Sequence, residues 1–243
     1  MTPSPKALQN PEGQTLLVKH FETRTAFWDR GMPSPALIDI LEGRQDLLNP
    51  FTADGRRKRA LVPGCGKGYD VVMLALHGFD VFGLEVSETG AEVAREYARA
   101  EFQSPKEYNF GSSSSSSGVE AGQVAIIQGD FFKKEWKNRV RFDLIYDYMF
   151  LCAIHPTMRR QWAGRMADLL APTGHLLPGP PWGLNGVHWN LLAAGGDGIV
   201  GVGENVEGEE KGAFTRLLYV KPGWSYANGK ETDMLSVYIK KTF

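Results

Sequence analysis

The chain has 243 residues, 42% of them hydrophobic and 23% charged, the balance of a folded globular domain, which excludes wholesale disorder. Its 27 Lys and Arg against 28 Asp and Glu leave a formal net charge of −1, too weak a field to gather nucleic acid or an anionic membrane surface. Cys65 and Cys152 are its two cysteines; they build no disulfide framework and have no His or Cys neighbours at metal-ligand spacing, so an intracellular, cytoplasmic protein without a metal is expected. In chain order, residues 1–14 are polar and Pro-containing and do not read as a secretory signal. No apolar run is long enough to span a bilayer. The basic cluster Arg56-Arg57-Lys58-Arg59 reads as a solvated loop ahead of a strand.

From Arg59 to Leu177 short apolar runs alternate with helical patterns, the signature of a parallel sheet built from βαβ units. Ala60-Leu61-Val62 is a predicted strand, followed at once by Pro63-Gly64-Cys65-Gly66-Lys67-Gly68. Asp70 to His77 reads as a short buried helix stopped by Gly78. Val81 to Glu85 is a second strand, and Ser87 an N-cap for a helix through about Glu101, with Ala91, Ala94, Tyr97 and Ala98 at helical spacing. Six serines between Gly111 and Gly118 form a linker too polar to bury. Val124 to Gln128 is a third strand running into Gly129-Asp130, and Phe142 to Tyr146 a fourth ending at Asp147.

Met158 to Leu170 is helical, with Trp162, Met166, Leu169 and Leu170 on one face, and is expected to end before Pro172 and a Thr173-Gly174 turn. His175-Leu176-Leu177 begins a fifth strand that Pro178, Pro180 and Pro181 cut short. Gly195 to Gly212 reads as a glycine-rich loop. Arg216 to Val220 and Met234 to Lys240 read as two strands with a turn at Tyr226-Ala227-Asn228-Gly229 between them, an antiparallel closure of the sheet. The expected fold is one doubly wound α/β domain with a mostly parallel sheet and an antiparallel edge. Residues 1–50 make an N-terminal arm and helix covering the ligand, 51–177 the binding core, and 178–243 a loop-rich tail with two edge strands.

Gly64-x-Gly66-x-Gly68 lies between a strand and a helix, where the backbone can approach a ligand and its N–H groups can donate to it. A Walker A loop needs a glycine five residues before Gly66-Lys67 and a Ser or Thr after the lysine; Leu61 and Gly68 stand there instead, so that reading fails. The dinucleotide fingerprint wants its last glycine where Tyr69 stands, which weakens an NAD reading and leaves it open. The third pattern, G-x-G-x-G, is the one expected of S-adenosylmethionine (SAM) binding in α/β methyltransferases. Three acids follow in phase with the loop. Glu85 closes the second strand, where a carboxylate accepts both hydroxyls of a ribose. Asp130 closes the third, placed to accept from an adenine amino group with Phe131 or Phe132 on the ring, and Asp147 closes the fourth. Ligands of open α/β sheets bind beyond these carboxyl ends.

At these residues the sequence resembles the thiopurine methyltransferase-like SAM-dependent methyltransferases, which include the plant and fungal thiol and halide methyltransferases. The resemblance is carried by Phe27-Trp28-Asp29-Arg30-Gly31 with Ser34-Pro35-Ala36-Leu37, by Ala60 to Gly68, and by Gly83-Leu84-Glu85-Val86-Ser87. Gly129-Asp130-Phe131-Phe132, Phe142 to Tyr148 running into Cys152-Ala153-Ile154, and Pro180-Pro181-Trp182-Gly183 add to it. Its most specific element is Val62-Pro63-Gly64-Cys65-Gly66-Lys67-Gly68, where proline replaces the acid that most methyltransferases carry. The resemblance implies a Rossmann-like SAM methyltransferase fold and cofactor contacts from Trp28, Gly64, Gly66, Glu85, Asp130, Phe131 and Asp147. An indole face at Trp28 near a sulfonium would add a cation–π contact. Two departures stand out: Phe21 replaces one of the extra tryptophans of plant members, and Gly174 to Pro181 is several residues shorter than the family pattern.

A sulfonium methyl is already activated, so such an enzyme needs to align acceptor and methyl and exclude water. That suits a sequence with no Ser-His-Asp, Cys-His or metal constellation. A halide or thiolate acceptor needs no base; a neutral thiol needs its proton removed. Tyr148 is expected to border the methyl-transfer site. His155 is read as a helix-start residue before Pro156, and Cys65 and Cys152 as inert thiols. The leading expectation is SAM-dependent methyl transfer to a small thiol or halide. A SAM-binding but catalytically impaired relative and an NAD(P)-dependent oxidoreductase are the alternatives.

Overall fold

The computed structural model describes residues 29–111, 119–137, 140–179, 184, 186–201, 208–227, 229–230 and 232–242. Trp28, the serine run, Pro180 to Gly183 and Asn228 lie outside the described residues.

Seven strands form one sheet: β1 (Arg59–Pro63), β2 (Asp80–Glu85), β3 (Val124–Gln128), β4 (Phe142–Asp147), β5 (Leu170–Pro178), β6 (Phe214–Val220) and β7 (Leu235–Lys240), in the order β3-β2-β1-β4-β5-β7-β6. The first five strands pair in parallel, and β7 runs antiparallel to both β5 and β6. The reversed strand thus sits one place in from the edge. Strand order reverses at β1: β2 and β3 extend to one side and β4 and β5 to the other. That switch point is where an open α/β sheet leaves a crevice.

The helices around the sheet are α1 (Pro35–Gly43), α2 (Gln45–Leu48), α3 (Tyr69–Leu76), α4 (Glu88–Gln103), α5 (Arg159–Leu169) and a short α6 (Val187–Trp189). Ser87 caps α4 as the sequence predicts, its hydroxyl accepting from the Gly90 N–H at 3.2 Å. Two apolar clusters cover the two faces of the sheet. One packs Leu61, Ile145 and Leu176 with Trp162 and Met166 of α5; the other packs Val62, Leu144 and Leu177 with Met73 of α3 and Leu37 of α1. Alternate residues of each strand supply the two clusters, as strands buried on both faces require.

Two local expectations change. The fifth strand begins at Leu170 rather than His175, because Leu170 pairs with Phe142 and the ladder resumes at His175 opposite Leu144 after an irregularity. The Pro172 to Gly174 stretch therefore lies within the strand's span, at an irregularity where β5 advances five residues against two of β4. The 187–194 region, unassigned from sequence, is helical: α6 continues into a wider π-helical turn at Asn190–Ala194 that buries Leu191 and Leu192. Gly195, at φ +80°, ends it.

Candidate active site

A cavity of about 430 Å3 opens across the carboxyl ends of β1, β2 and β4, within the size range of small-molecule sites. Its floor is the turn between β1 and α3. Gly64, Gly66 and Gly68 adopt φ of +60°, +56° and +81°, the left-handed region that side chains with a Cβ enter at a cost. At Gly64 a Cβ would also lie 2.5 Å from the Phe150 ring, so that aromatic side chain packs directly on the glycine backbone.

Glu85 is 4% exposed at the end of β2, and its two carboxylate oxygens accept from the Gly66 N–H at 3.1 Å and the Ser87 N–H at 2.9 Å. It ties the glycine turn to the start of α4. Burial raises its pKa despite these donors. Each carboxylate oxygen has a further lone pair, so Glu85 retains capacity toward the cavity it lines.

Beyond β3, Asp130 closes a local turn by accepting from the Phe132 N–H at 2.9 Å. Asp130, Phe131 and Phe132 all line the cavity. The loop is held from behind by Arg165 of α5, whose guanidinium donates to the Phe131 carbonyl at 3.1 Å and the Lys133 carbonyl at 2.8 Å. The Phe131 ring meets Phe132 and Phe150 edge-on at centroid distances of 5.2 and 5.0 Å. Gly64, Gly66, Glu85, Asp130 and Phe131 therefore converge on one cavity, as their positions in the sequence imply.

Asp147 does not join them. It is 2% exposed and its carboxylate turns inward, accepting from the Phe150 and Leu151 N–H groups at 3.2 and 3.1 Å and from the Trp162 indole N–H at 2.7 Å. Burial outweighs these donors and pushes its pKa up to about 6. The side chain shapes the turn that carries Tyr148 to Phe150 instead of lining the cavity. Met149 within that turn has φ +62°, the one non-glycine residue so placed among those described.

Tyr148 lines the cavity on the β4 side, with Tyr226 from the tail 6.0 Å away between ring centroids. Burial and the negative charge of Asp70 raise the pKa of the Tyr148 phenol, which Arg30 opposes; the group is neutral at physiological pH. Cys65 and Cys152 line the cavity too. Burial pushes the Cys152 thiol up to about 12 and, helped by Glu85, raises Cys65 strongly. Neither is a nucleophile at neutral pH, in line with the inert-thiol expectation. His155 caps a 3-10 turn at Pro156–Met158, its ring 2.7 Å from the Thr157 hydroxyl.

The sequence reading missed four contributors. Lys67 pairs with Asp29, fastening the segment before α1 onto the glycine turn; the lysine and Gly31 N–H hold Asp29 below the ordinary carboxylate range although burial works the other way. Asp70, in the first turn of α3, accepts from the Ser34 N–H at 2.7 Å. Tyr226 donates to the Met32 carbonyl at 2.8 Å, a contact spanning 194 positions. Arg165 looked like one more charge on an amphipathic helix. Lys67 carried a signal, its place inside a glycine loop. The others carried none, since their roles arise from partners far away in the chain. Among the described residues no three His, Cys, Asp or Glu side chains cluster as metal ligands, and no helix is long and apolar enough to cross a membrane.

The sheet and the helices around it have the fold of the class I SAM-dependent methyltransferases. The N-methyltransferase NodS from Bradyrhizobium japonicum, solved with S-adenosyl-L-homocysteine, superposes over 94% of this chain and 98% of its own with a TM-score of 0.54 at 16% identity. At that identity the likeness concerns the fold. The chain belongs to the thiopurine S-methyltransferase family, whose model matches residues 15–178. It is 36% identical over 159 residues to a probable thiol methyltransferase 2 of Arabidopsis thaliana, covering 65% of this chain and 58% of that protein. It is also 36% identical over 150 residues to thiocyanate methyltransferase 1 of Brassica oleracea, covering 62% and 54%. A thiopurine S-methyltransferase of Vibrio cholerae is 29% identical over 154 residues, covering 62% and 67%. The chain thus spans little more than half the length of the plant relatives it matches.

Proposed function

We propose that this chain is a SAM-dependent methyltransferase that methylates a small sulfur or halide acceptor in the cytoplasm. The observation that carries the reading is one cavity lined both by the glycine turn with Glu85, Asp130 and Phe131 and by a second set of groups around Tyr148. Sheet order separates the two sets: β2 and β3 bring the first to one side of β1, and β4 brings Tyr148 to the other. Acceptor and donor then meet over β1. The names of the relatives, thiol, thiocyanate and thiopurine methyltransferase, share a sulfur nucleophile. Two unpaired, half-buried cysteines favour a reducing compartment.

The residues fit the cofactor. The positive-φ glycines let backbone approach its amino-acid portion, Glu85 has lone pairs for ribose hydroxyls, and Asp130 has an oxygen for an adenine amino group. Phe131 offers an aromatic surface for the base; for Trp28, outside the described residues, the family resemblance alone implies a contact with the cofactor. Bound there, SAM supplies an activated methyl group. The chain's own work is positional: the Lys67–Asp29 pair fastens the entry segment to the glycine turn, and apolar Phe150, Ile154 and Met158 line part of the cavity. Holding two reactants in line in this way supplies about 7–11 kcal/mol of barrier reduction. Asp147 orients the 148–150 turn rather than touching the cofactor.

Isothermal titration with SAM and S-adenosyl-L-homocysteine, followed by mass spectrometry of products from iodide, thiocyanate, sulfide and small thiols, tests the reading. Saturable binding with a methylated product supports it. Binding without product on the whole panel replaces it with a non-catalytic SAM-binding role, and NADH binding without SAM binding replaces it with an oxidoreductase.

A further inference from the structure

The acceptor side of the cavity holds a carboxylate with no assigned task. Asp70 sits in the first turn of α3, two residues past the last glycine of the turn, and lines the cavity together with Arg30, Met32, Tyr148 and Tyr226. Its Oδ1 accepts from the Ser34 N–H at 2.7 Å, which orients the group, while Oδ2 meets no hydrogen-bond donor among the described residues. Buried carboxylates are ordinarily paired or fully hydrogen-bonded. A half-satisfied one facing a cavity has an oxygen reserved for something that enters.

We propose that the Asp70 carboxylate is the proton acceptor for a neutral thiol bound against Tyr148 and Tyr226, so that this chain methylates thiols as well as acceptors that are already anionic. This rests on the methyltransferase reading above and deepens it. In the step, the thiol S–H bond breaks, an O–H bond forms at Oδ2 of Asp70, and the electron pair stays on sulfur. That thiolate is the acceptor of the sulfonium methyl group, and the proton leaves Asp70 to solvent once product departs. A halide or thiocyanate ion takes the same place with no proton to lose.

The surroundings suit a base. Burial pushes the Asp70 pKa up to about 6, close to the working pH that a general base needs. The titratable groups facing it from the other elements are Tyr146 and Tyr148 of β4 and its turn, Tyr226 of the tail and Cys65 of the glycine turn, and all have raised pKa values from burial and from the Asp70 charge among other causes. They stay protonated when Asp70 ionises. Arg30 lies over the Tyr226 ring at 5.8 Å, and Asp233, itself raised by burial, acts on Arg30 and on Tyr148 but does not line the cavity.

Asp70→Asn keeps an oxygen for the Ser34 N–H and removes the proton acceptor. Its turnover ratio, thiol over iodide, should fall on the order of 100-fold, within the usual reach of general-base catalysis, and Asp70→Glu should recover much of that ratio. Wild-type kcat/KM for a thiol should fall as pH drops through about 6, while that for iodide does not. Without any cofactor, carbon-13 NMR of aspartate-labelled protein should show, beside the raised signals of Asp147 and Asp233, a carboxyl signal that titrates well above the ordinary value and is missing in Asp70→Asn. An unchanged ratio in an active, folded Asp70→Asn overturns the proposal, as does finding that the signal lost in Asp70→Asn titrates like a free aspartate. Equal loss for thiol and iodide with weakened SAM binding also overturns it, assigning the carboxylate to the cofactor's charge. A wild-type chain that binds no SAM and methylates neither acceptor overturns the underlying methyltransferase reading along with it.

Discussion

Gly64 shows how one position carries both fold and site. Its φ of +60° and the 2.5 Å approach of Phe150 to where a Cβ would be make Gly64→Ala costly twice over. The left-handed backbone alone costs about 1–2 kcal/mol in a residue with a Cβ. We expect a lower Tm and at least about tenfold weaker SAM binding, that is about 1.4 kcal/mol or more, read by calorimetry. Asp147 makes the opposite case, a carboxylate that sequence position assigns to the ligand and tertiary packing claims for itself. Its folded pKa of about 6 exceeds the ordinary 3.8, so the folded state binds the proton more tightly than the unfolded chain. Its contribution to stability is fully present below pH 3.8 and is lost as pH rises through about 6, on the order of 3 kcal/mol by linkage. In Asp147→Asn an amide NH2 must face either the Trp162 indole N–H or the Phe150 and Leu151 N–H groups, donor against donor. Urea unfolding should show a loss of about 1–3 kcal/mol near neutral pH and a shallower fall in stability between pH 4 and 7 than in wild type.

At the scale of elements, the acids beyond β2 and β3 are placed by structures that are themselves held from elsewhere. The 130–133 turn depends on α5, because Arg165 supplies hydrogen bonds to two of its carbonyls. Arg165→Ala should release Asp130 and Phe131, weakening SAM binding severalfold and lowering Tm, whereas a surface arginine of the same helix such as Arg160 should be silent in both measurements. Ser87 illustrates the reverse dependence, of an element on one residue. Its cap on α4 was legible from its place before a helical pattern, since N-capping is a local interaction. Ser87→Ala should cost about 1 kcal/mol, measured by urea denaturation. The start of β5 at Leu170 was not legible, because Leu170 is drawn into the ladder by Phe142 across the sheet, ahead of the Pro172 to Gly174 stretch.

Over the whole molecule, contacts between the segment around α1 and the tail bring distant parts of the chain together beside the cavity. Tyr226 reaches the Met32 carbonyl, and the Gly223 N–H donates to Asp39 of α1 at 2.8 Å. Tail and entry segment thereby meet at one wall of the cavity. Tyr226→Phe, which deletes the hydroxyl and keeps the ring, should raise KM for a thiol acceptor severalfold with a smaller change in the Kd for SAM, separable by steady-state kinetics and titration calorimetry. The alternation of strand and helix signals determined the parallel core, the glycine turn, and the placing of Glu85, Asp130 and Tyr148 at strand ends, because these follow from hydrophobic period and backbone freedom within a few residues. The tertiary structure alone decided that Asp147 faces inward and that Lys67 holds Asp29. It alone decided that Asp70 lines the cavity and that Tyr226 of the tail joins its wall. Those depend on which side chains meet across long stretches of chain, and no local pattern records such meetings.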